Sequence, residues 1–213
     1  MFANARYIVI EGPIGSGKTS LTNRLAEEIE AVPMLEQSEH NPFLTRFYQH
    51  RERWALATQL SFLFQRIDQL GKIHAHLENS QLIVADFLID KDPLFAAMNL
   101  EEDELALYQR TFQAVLPDTK RKPDLVIYLE AKPETLIKRI QQRGIEAEKR
   151  ISESYLKLIC QRYTSFFYDY DDAPVMIIDA EVLNPIESGN DFQLLLQRLQ
   201  QMRSYREFFG YSR

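Results

Sequence analysis

The chain has 213 residues, 45% of them hydrophobic, which is enough for one globular domain with a substantial core. Its single cysteine, Cys160, excludes an intramolecular disulfide and is typical of a reducing compartment, so we expect a cytoplasmic protein with Cys160 as a small core residue. A net charge of −6 argues against nucleic acid or an anionic membrane as the main partner. The first apolar run, "YIVI", is too short for a signal peptide or a membrane span.

Apolar runs alternate with helical patterns along the chain. Five runs are predicted as strands: 6–12, 32–37, 81–87, 124–131 and 174–180. They are nearly continuous rather than alternating, as in a parallel sheet that is covered on both faces. The alternation predicts an α/β fold, a five-stranded parallel sheet in a three-layer sandwich, organised as a single domain over 1–213.

Helices are predicted between these strands. The first carries an apolar stripe at Leu21, Leu25, Ile29 and Val32. The others are predicted at about 42–78, 101–115, 133–143, 150–169 and 191–208. The helix from Pro42 to Glu78 is apolar on more than one side, so part of it is expected to pack against a partner subunit.

The stretch "EGPIGSGKTS" matches the phosphate-binding P-loop pattern, with a strand before it and an amphipathic helix after it. Its glycines allow backbone N–H groups to surround phosphate oxygens at the positive end of the helix. Lys18 is expected to reach the β- and γ-phosphates of ATP or GTP, and Thr19 to offer its hydroxyl to Mg²⁺. The predicted nucleotide-binding residues are Gly12, Pro13, Ile14, Gly15, Ser16, Gly17, Lys18, Thr19 and Ser20.

Two carboxylates come at predicted strand ends, where an α/β sheet presents catalytic groups. Glu36 ends the second strand and Asp86 ends the third. Either one alone is more often a surface or capping residue, but beside a P-loop both become candidates for the base that accepts the hydroxyl proton. Asp86 is also a candidate Mg²⁺ ligand, with Thr19. The pattern leaves open which carboxylate is the base and which orients the metal.

The long predicted helix carries Gln59 and Arg66 seven residues apart, hence on one face, and Tyr48 lies close to that face. A solvated polar face would explain them, but Gln59 has apolar neighbours and needs partners for both its donor and its acceptor, as a nucleobase edge would offer.

A second pair of candidates lies on the helix after the fourth strand, where Arg139 and Arg143 are four residues apart. Two cations on one helical face are suited to a lid that closes over the phosphates during transfer, and this lid is predicted at about 139–150. The alternative for these arginines is salt bridging with the acidic run Glu146–Glu148.

These segments, in this order, resemble the deoxynucleoside kinase family from about Arg6 to Tyr170. The resemblance rests on "IEGPIGSGKTSL", on Glu36 followed by "NPFLTRFYQHRERWALATQLSFLFQR", and on "RIQQRG". It implies a five-stranded P-loop fold and a dimer formed through a helical bundle. By the same resemblance Glu36 meets the 5′-hydroxyl and Tyr48 the 3′-hydroxyl. It also implies that Gln59, Arg66 and Asp92 contact the nucleobase and that Glu148 contacts the sugar.

The sequence departs from the family at two positions. Where the family commonly has an arginine after the acidic residue of the third strand, this chain has Phe87, and Ile145 stands where the lid often has a third arginine. Lys91 is a candidate replacement charge, although an exposed loop lysine is the more common explanation.

The favoured hypothesis is an enzyme that transfers the γ-phosphoryl of ATP to the 5′-hydroxyl of a deoxynucleoside, with Mg²⁺. Lys18, Arg139 and Arg143 would hold the phosphates, and Asp86 or Glu36 would take the proton. The sequence pattern "NPFL…FY…RWA" resembles bacterial deoxyadenosine and deoxyguanosine kinases, which favours a purine deoxynucleoside as the substrate. The alternatives are a thymidylate-like nucleoside monophosphate kinase and an ATP-binding regulator without turnover.

Overall fold

A computed structural model describes residues 2–117, 120–146 and 148–210. The predicted domain, 1–213, and the predicted lid, 139–150, therefore include positions outside the described residues, Ala147 of the lid among them.

Within the described residues, six parallel strands form one sheet in the order β2-β3-β1-β4-β5-β6. Their bounds are Tyr7–Glu11 (β1), Val32–Met34 (β2), Ile83–Ala85 (β3), Leu125–Glu130 (β4), Val175–Asp179 (β5) and Arg206–Phe209 (β6). The five predicted strands are present, although β2 and β3 are shorter than predicted. The predicted number of strands was wrong by one, because β6 is a partly exposed edge strand without a continuous apolar run.

Alternate side chains of the strands enter two separate cores, which makes the structure three layers. On one side, Tyr7, Val9 and their equivalents in the other strands pack against the helices α3 and α7 defined below. On the other side, Ile8 and Ile10 pack against α1 and α8. The predicted parallel sheet with two covered faces is confirmed, and this burial explains why its strands read as continuous apolar runs.

The helices differ from the prediction mainly at their ends. In the described part of the chain they are Lys18–Glu28 (α1), Leu44–Gln49 (α2), Arg51–Glu78 (α3), Asp92–Asn99 (α4), Glu102–Val115 (α5), Pro133–Arg143 (α6), Glu153–Asp169 (α7) and Gly189–Gln201 (α8). The predicted helix over 42–78 is two helices, because the backbone of His50 is not helical (φ −143°, ψ 77°). Val32 lies in β2 rather than in the first helix, and α4 was not predicted. The last helix was predicted to reach residue 208, but it ends where the chain turns into β6.

Two further features bear on the cellular predictions. No helix among the described residues is both long and apolar enough to cross a membrane. Cys160 is partly buried against a small cluster of Ala131, Leu136 and Ala180. Burial raises the pKa of its thiol to about 11, so Cys160 stays protonated near neutral pH.

Candidate active site

A cavity opens at the carboxyl edge of the sheet and encloses about 990 Å³ of empty space, its mouth included. The strand ends bring the predicted residues together here, because parallel strands present their carboxyl ends at one edge. The predicted residues that line the cavity are Ile14, Gly15, Lys18, Thr19, Glu36, Tyr48, Gln59, Arg66, Asp86, Arg143 and Glu148. Gly12, Pro13, Ser16, Gly17, Ser20, Asp92 and Arg139 do not line it.

The P-loop runs from the end of β1 to the start of α1, and its glycines are required by the backbone. Gly15 has φ 85°, the left-handed region that favours glycine. A Cβ on Gly12 would lie 2.7 Å from the carbonyl oxygen of Leu129, so a side chain has no room there. The Lys18 ammonium donates to the carbonyl oxygen of Pro13 at 3.3 Å, within the same loop.

Asp86 joins the P-loop to Glu36. Its Oδ2 accepts a hydrogen bond from the Thr19 hydroxyl at 2.6 Å, and its Oδ1 accepts one from the backbone N–H of Glu36, also at 2.6 Å. Burial raises the pKa of Asp86, and these hydrogen bonds counteract that effect only in part.

The pair formed by Thr19 and Asp86 fits the oxygen ligands that Mg²⁺ prefers. Mg²⁺ usually takes only one or two protein oxygens and completes its shell with water and phosphate oxygens. A hydroxyl and a carboxylate at the mouth of a P-loop match that donor set.

Arg66 connects Glu36, which lines the cavity, to Asp92, which does not. Its Nε and Nη2 donate to Oε1 of Glu36 at 2.8 and 2.5 Å, and its Nη1 donates to Oδ2 of Asp92 at 2.5 Å. Burial alone would raise the pKa of Glu36, but the charges of Arg66, Lys91 and Lys18 outweigh burial and lower it to about 2. Glu36 is therefore ionised at neutral pH.

Asp92 lies behind the cavity wall and is fully buried. It accepts hydrogen bonds from the Gln59 side-chain amide and, at 2.6 Å, from the Tyr108 hydroxyl. Gln59 and Arg66 line the cavity while Asp92 does not, so Asp92 acts on the cavity through them. The predicted polar face of the long helix is thus buried against α4 rather than solvated.

The two arginines of α6 point to different partners. Arg143 lines the cavity and forms an ion pair with Glu148, which lines the cavity as well. Arg139 donates to the carbonyl oxygen of Ala180 at 2.9 Å, after the end of β5. The salt bridge considered as the alternative is therefore present for Arg143, whose guanidinium nevertheless stays at the cavity.

The sequence profile of the family described as deoxynucleoside kinase matches residues 8–202. The chain belongs to the deoxynucleoside kinase family. A deoxyguanosine kinase of Bacillus subtilis is 31% identical over 203 residues, which cover 93% of this chain and 98% of that one. A deoxyadenosine/deoxycytidine kinase of the same organism is 30% identical, with 90% of each chain covered.

The family assignment agrees with solved structures. A deoxyadenosine kinase from M. mycoides, solved with the products dCMP and a flexible dCDP, superposes with a TM-score of 0.77 at 25% identity. The match covers 92% of this chain and 99% of that chain. The chain is thus an ATP-dependent deoxynucleoside kinase with a P-loop NTPase-type fold.

Several residues of this deoxynucleoside kinase site were not identified from the sequence. Phe47, Tyr155 and Tyr163 line the cavity, and Glu11 accepts a hydrogen bond from the hydroxyl of Tyr163. Tyr155 and Tyr163 are eight residues apart on α7, a spacing that places them on one helical face. That spacing alone indicates only a buried face, because nothing in it distinguishes a cavity wall from a core.

Proposed function

We propose that this deoxynucleoside kinase transfers the γ-phosphoryl of ATP to the 5′-hydroxyl of a purine deoxynucleoside in the presence of Mg²⁺. The observation that carries the proposal is that Glu36 and Asp86 line the same cavity as Lys18 and Thr19 of the P-loop and as Gln59 and Arg66 of α3. A phosphate donor and a nucleoside acceptor can therefore be held end to end, as in-line transfer requires.

On the donor side, the P-loop backbone and Lys18 bind the β- and γ-phosphates, and Arg143 approaches from α6. Thr19 and Asp86 would hold Mg²⁺, which when bound neutralises charge on the phosphates. Arg139, bound to the carbonyl of Ala180, would need to change partner before it could reach a phosphate. We therefore assign the closing role of the lid to Arg143.

On the acceptor side, we assign to Glu36 the role of the general base that accepts the proton of the 5′-hydroxyl. Among the described residues, all the hydrogen bonds to its side chain go to Oε1, whereas Asp86 uses both oxygens for Thr19 and the Glu36 backbone. The lowered pKa of Glu36 makes it a weak base. This matters little in a loose transition state, where the hydroxyl proton leaves late.

The nucleoside would lie along the remaining wall, with its sugar near Tyr48 and Glu148 and its base near Gln59. The amide of Gln59 donates to Asp92, which fixes its orientation before a nucleoside arrives. The preference for a purine rests on the likeness to bacterial purine deoxynucleoside kinases. A thymidylate-like reaction is disfavoured, because it needs a further cation for the acceptor phosphate, and the fully buried Phe87 stands where the family commonly has an arginine.

We further propose a cytoplasmic homodimer, as the family resemblance implies. Two large apolar side chains support the dimer: Phe64 on α3 is 49% exposed and Leu107 on α5 is 50% exposed. A partner copy that covers them would remove an apolar surface from water. Light scattering after size exclusion tests this, with Phe64→Glu expected to yield monomers and a monomeric unmodified protein contradicting it.

An assay of ADP release with deoxyguanosine, deoxyadenosine, deoxycytidine, thymidine and thymidylate tests the substrate proposal. We expect the highest kcat/KM with one of the two purines and no turnover of thymidylate. A preference for a pyrimidine would reject the purine assignment, and turnover of thymidylate alone would reject the nucleoside acceptor.

A further inference from the structure

Lys91 is a buried cation on the cavity wall that the reaction described above does not use. It ends the short helical turn Ile89–Lys91 just before α4, and only 3% of the residue is exposed. Its side chain nonetheless lines the cavity beside Lys18, Thr19 and Glu36. The explanation as an exposed loop lysine is therefore wrong, and a buried lysine needs a partner or a ligand.

Glu11 holds Lys91 in place. The Lys91 Nζ lies 2.8 Å from Oε1 of Glu11, the last residue of β1. The fully buried Glu11 also accepts hydrogen bonds from the N–H of Leu88 at 2.8 Å, the N–H of Gly12 at 3.1 Å and the Tyr163 hydroxyl at 3.3 Å. A carboxylate fixed by three other donors is a rigid anchor, so the ammonium is positioned before any ligand binds.

The ammonium shares the cavity with groups of the P-loop and lies near the proposed base. It is 3.8 Å from Oε1 of Glu36. Its charge also acts on Lys18: burial lowers the pKa of Lys18 and Lys91 lowers it further, against the opposing charges of Glu11, Asp86 and Glu36. Two ammonium groups that repel each other across a cavity are stabilised by an anion between them. An ammonium has three N–H donors, so Lys91 can bind such an anion without leaving Glu11.

We propose that Lys91 is a catalytic residue whose ammonium donates a hydrogen bond to the phosphoryl group while it passes from ATP to the acceptor. This proposal rests on the proposed function. The bond from the γ-phosphorus to the bridging oxygen of ADP breaks, a bond to the 5′-oxygen forms, and the 5′-proton goes to Glu36. Lys91 keeps all its protons and stabilises the oxygens that carry the negative charge.

A purely structural role for Lys91 is the competing explanation, since Glu11 is a buried carboxylate that needs a counter-charge. The two roles predict different outcomes when both charges are removed together. In a structural role, Lys91→Met in combination with Glu11→Gln removes the unpaired charge and restores activity. In a catalytic role, the double variant recovers stability but stays slow.

The experiment compares kcat, the KM values for ATP and deoxynucleoside, and the melting temperature in five proteins. These are the unmodified chain, Lys91→Met, Lys91→Arg, Lys91→Met with Glu11→Gln, and Lys72→Met as control. Lys72 is exposed on α3, outside the cavity, so its removal changes a lysine charge without touching the site.

We expect kcat to fall about 100-fold or more in both Lys91→Met proteins, as when one transition-state donor is removed, with the KM for ATP changed less than about threefold. Lys91→Arg is expected to keep more activity than Lys91→Met because it keeps the charge. A double variant with kcat within about threefold of the unmodified chain overturns the proposal. An unmodified chain that phosphorylates no deoxynucleoside overturns the proposed function instead, and with it this role of Lys91.

Discussion

The hydroxyl of Thr19 lies 2.6 Å from Oδ2 of Asp86, and this contact ties the start of α1 to the end of β3. The other oxygen of the same carboxylate holds the backbone of Glu36. One side chain therefore contacts both the start of α1 and the backbone of Glu36, the base proposed above.

Asp86→Asn tests that link. The amide cannot accept hydrogen bonds at both atoms and brings no charge to Mg²⁺, so we expect kcat to fall by about 10²–10³-fold. The Mg²⁺ concentration that gives half-maximal activity should rise in the same variant. Activity measured across a Mg²⁺ titration checks both, with Asp103→Asn on the exposed start of α5 as a control. If Asp86→Asn needs the same Mg²⁺ concentration for half-maximal activity as the unmodified chain, Asp86 does not bind the metal.

Arg66→Met tests the buried ion-pair network. The substitution leaves the carboxylates of Glu36 and Asp92 without their shared cation, and breaking a buried pair typically costs about 3–5 kcal/mol. Urea unfolding should show a loss of that order, whereas Arg110→Met, at an exposed position of α5, should change stability by less than about 0.5 kcal/mol. Equal losses in the two variants would show that the network contributes nothing specific.

The site could be predicted where one short segment carries its own chemistry. The P-loop has a fixed spacing, and Glu36 and Asp86 follow strands that the apolar pattern marks. The pairing of Glu11 with Lys91 had no such signal, because the two residues are 80 positions apart in the chain. Only the sheet order brings β1 and the segment after β3 together, and a pattern of hydrophobicity does not encode that order.

The fold was predictable to a similar degree. Buried strands produce continuous apolar runs, so five strands can be predicted, while the edge strand β6 has charged residues beside its aromatics and overlaps the predicted helix over 191–208. The break at His50 was missed, since the apolar pattern continues on both sides of it. Tyr48 and Gln59 consequently reach one cavity from two helices, not from one face of a single helix.

The stability of the protein should depend on the ionisation of Glu36. Its pKa is about 2 in the folded chain against an ordinary value of 4.5, so its contribution is fully present above about pH 4.5 and is lost as the pH falls toward 2. This pKa shift corresponds to a contribution of about 3 kcal/mol to the free energy of unfolding. Unfolding free energies at pH 5 and pH 2.5 should therefore differ more in the unmodified chain than in Glu36→Gln. If the free energies of unfolding of the unmodified chain and of Glu36→Gln change with pH in parallel, the lowered pKa of Glu36 is contradicted.

Gln59→Leu tests the nucleoside wall. Loss of the amide leaves the Asp92 carboxylate short of a donor and removes a polar contact from the base, so the KM for the deoxynucleoside should rise about 10- to 100-fold. The KM for ATP should stay within about twofold, because the side-chain amide of Gln59 donates to Asp92 and not to the P-loop. Steady-state kinetics with each substrate varied in turn separates the two, with Gln113→Leu on α5 as a control. An equal rise in both KM values would place Gln59 outside the acceptor site.

The most direct test of the whole account is the identity of the product. The unmodified chain, incubated with Mg²⁺, ATP and each of the four common deoxynucleosides in turn, is analysed by chromatography and mass spectrometry, beside Lys18→Met. We predict ADP and a deoxynucleoside 5′-monophosphate in equal amounts, most abundantly from deoxyguanosine or deoxyadenosine, and at least about 100-fold less with Lys18→Met. Absence of a 5′-monophosphate from all four nucleosides would contradict the account.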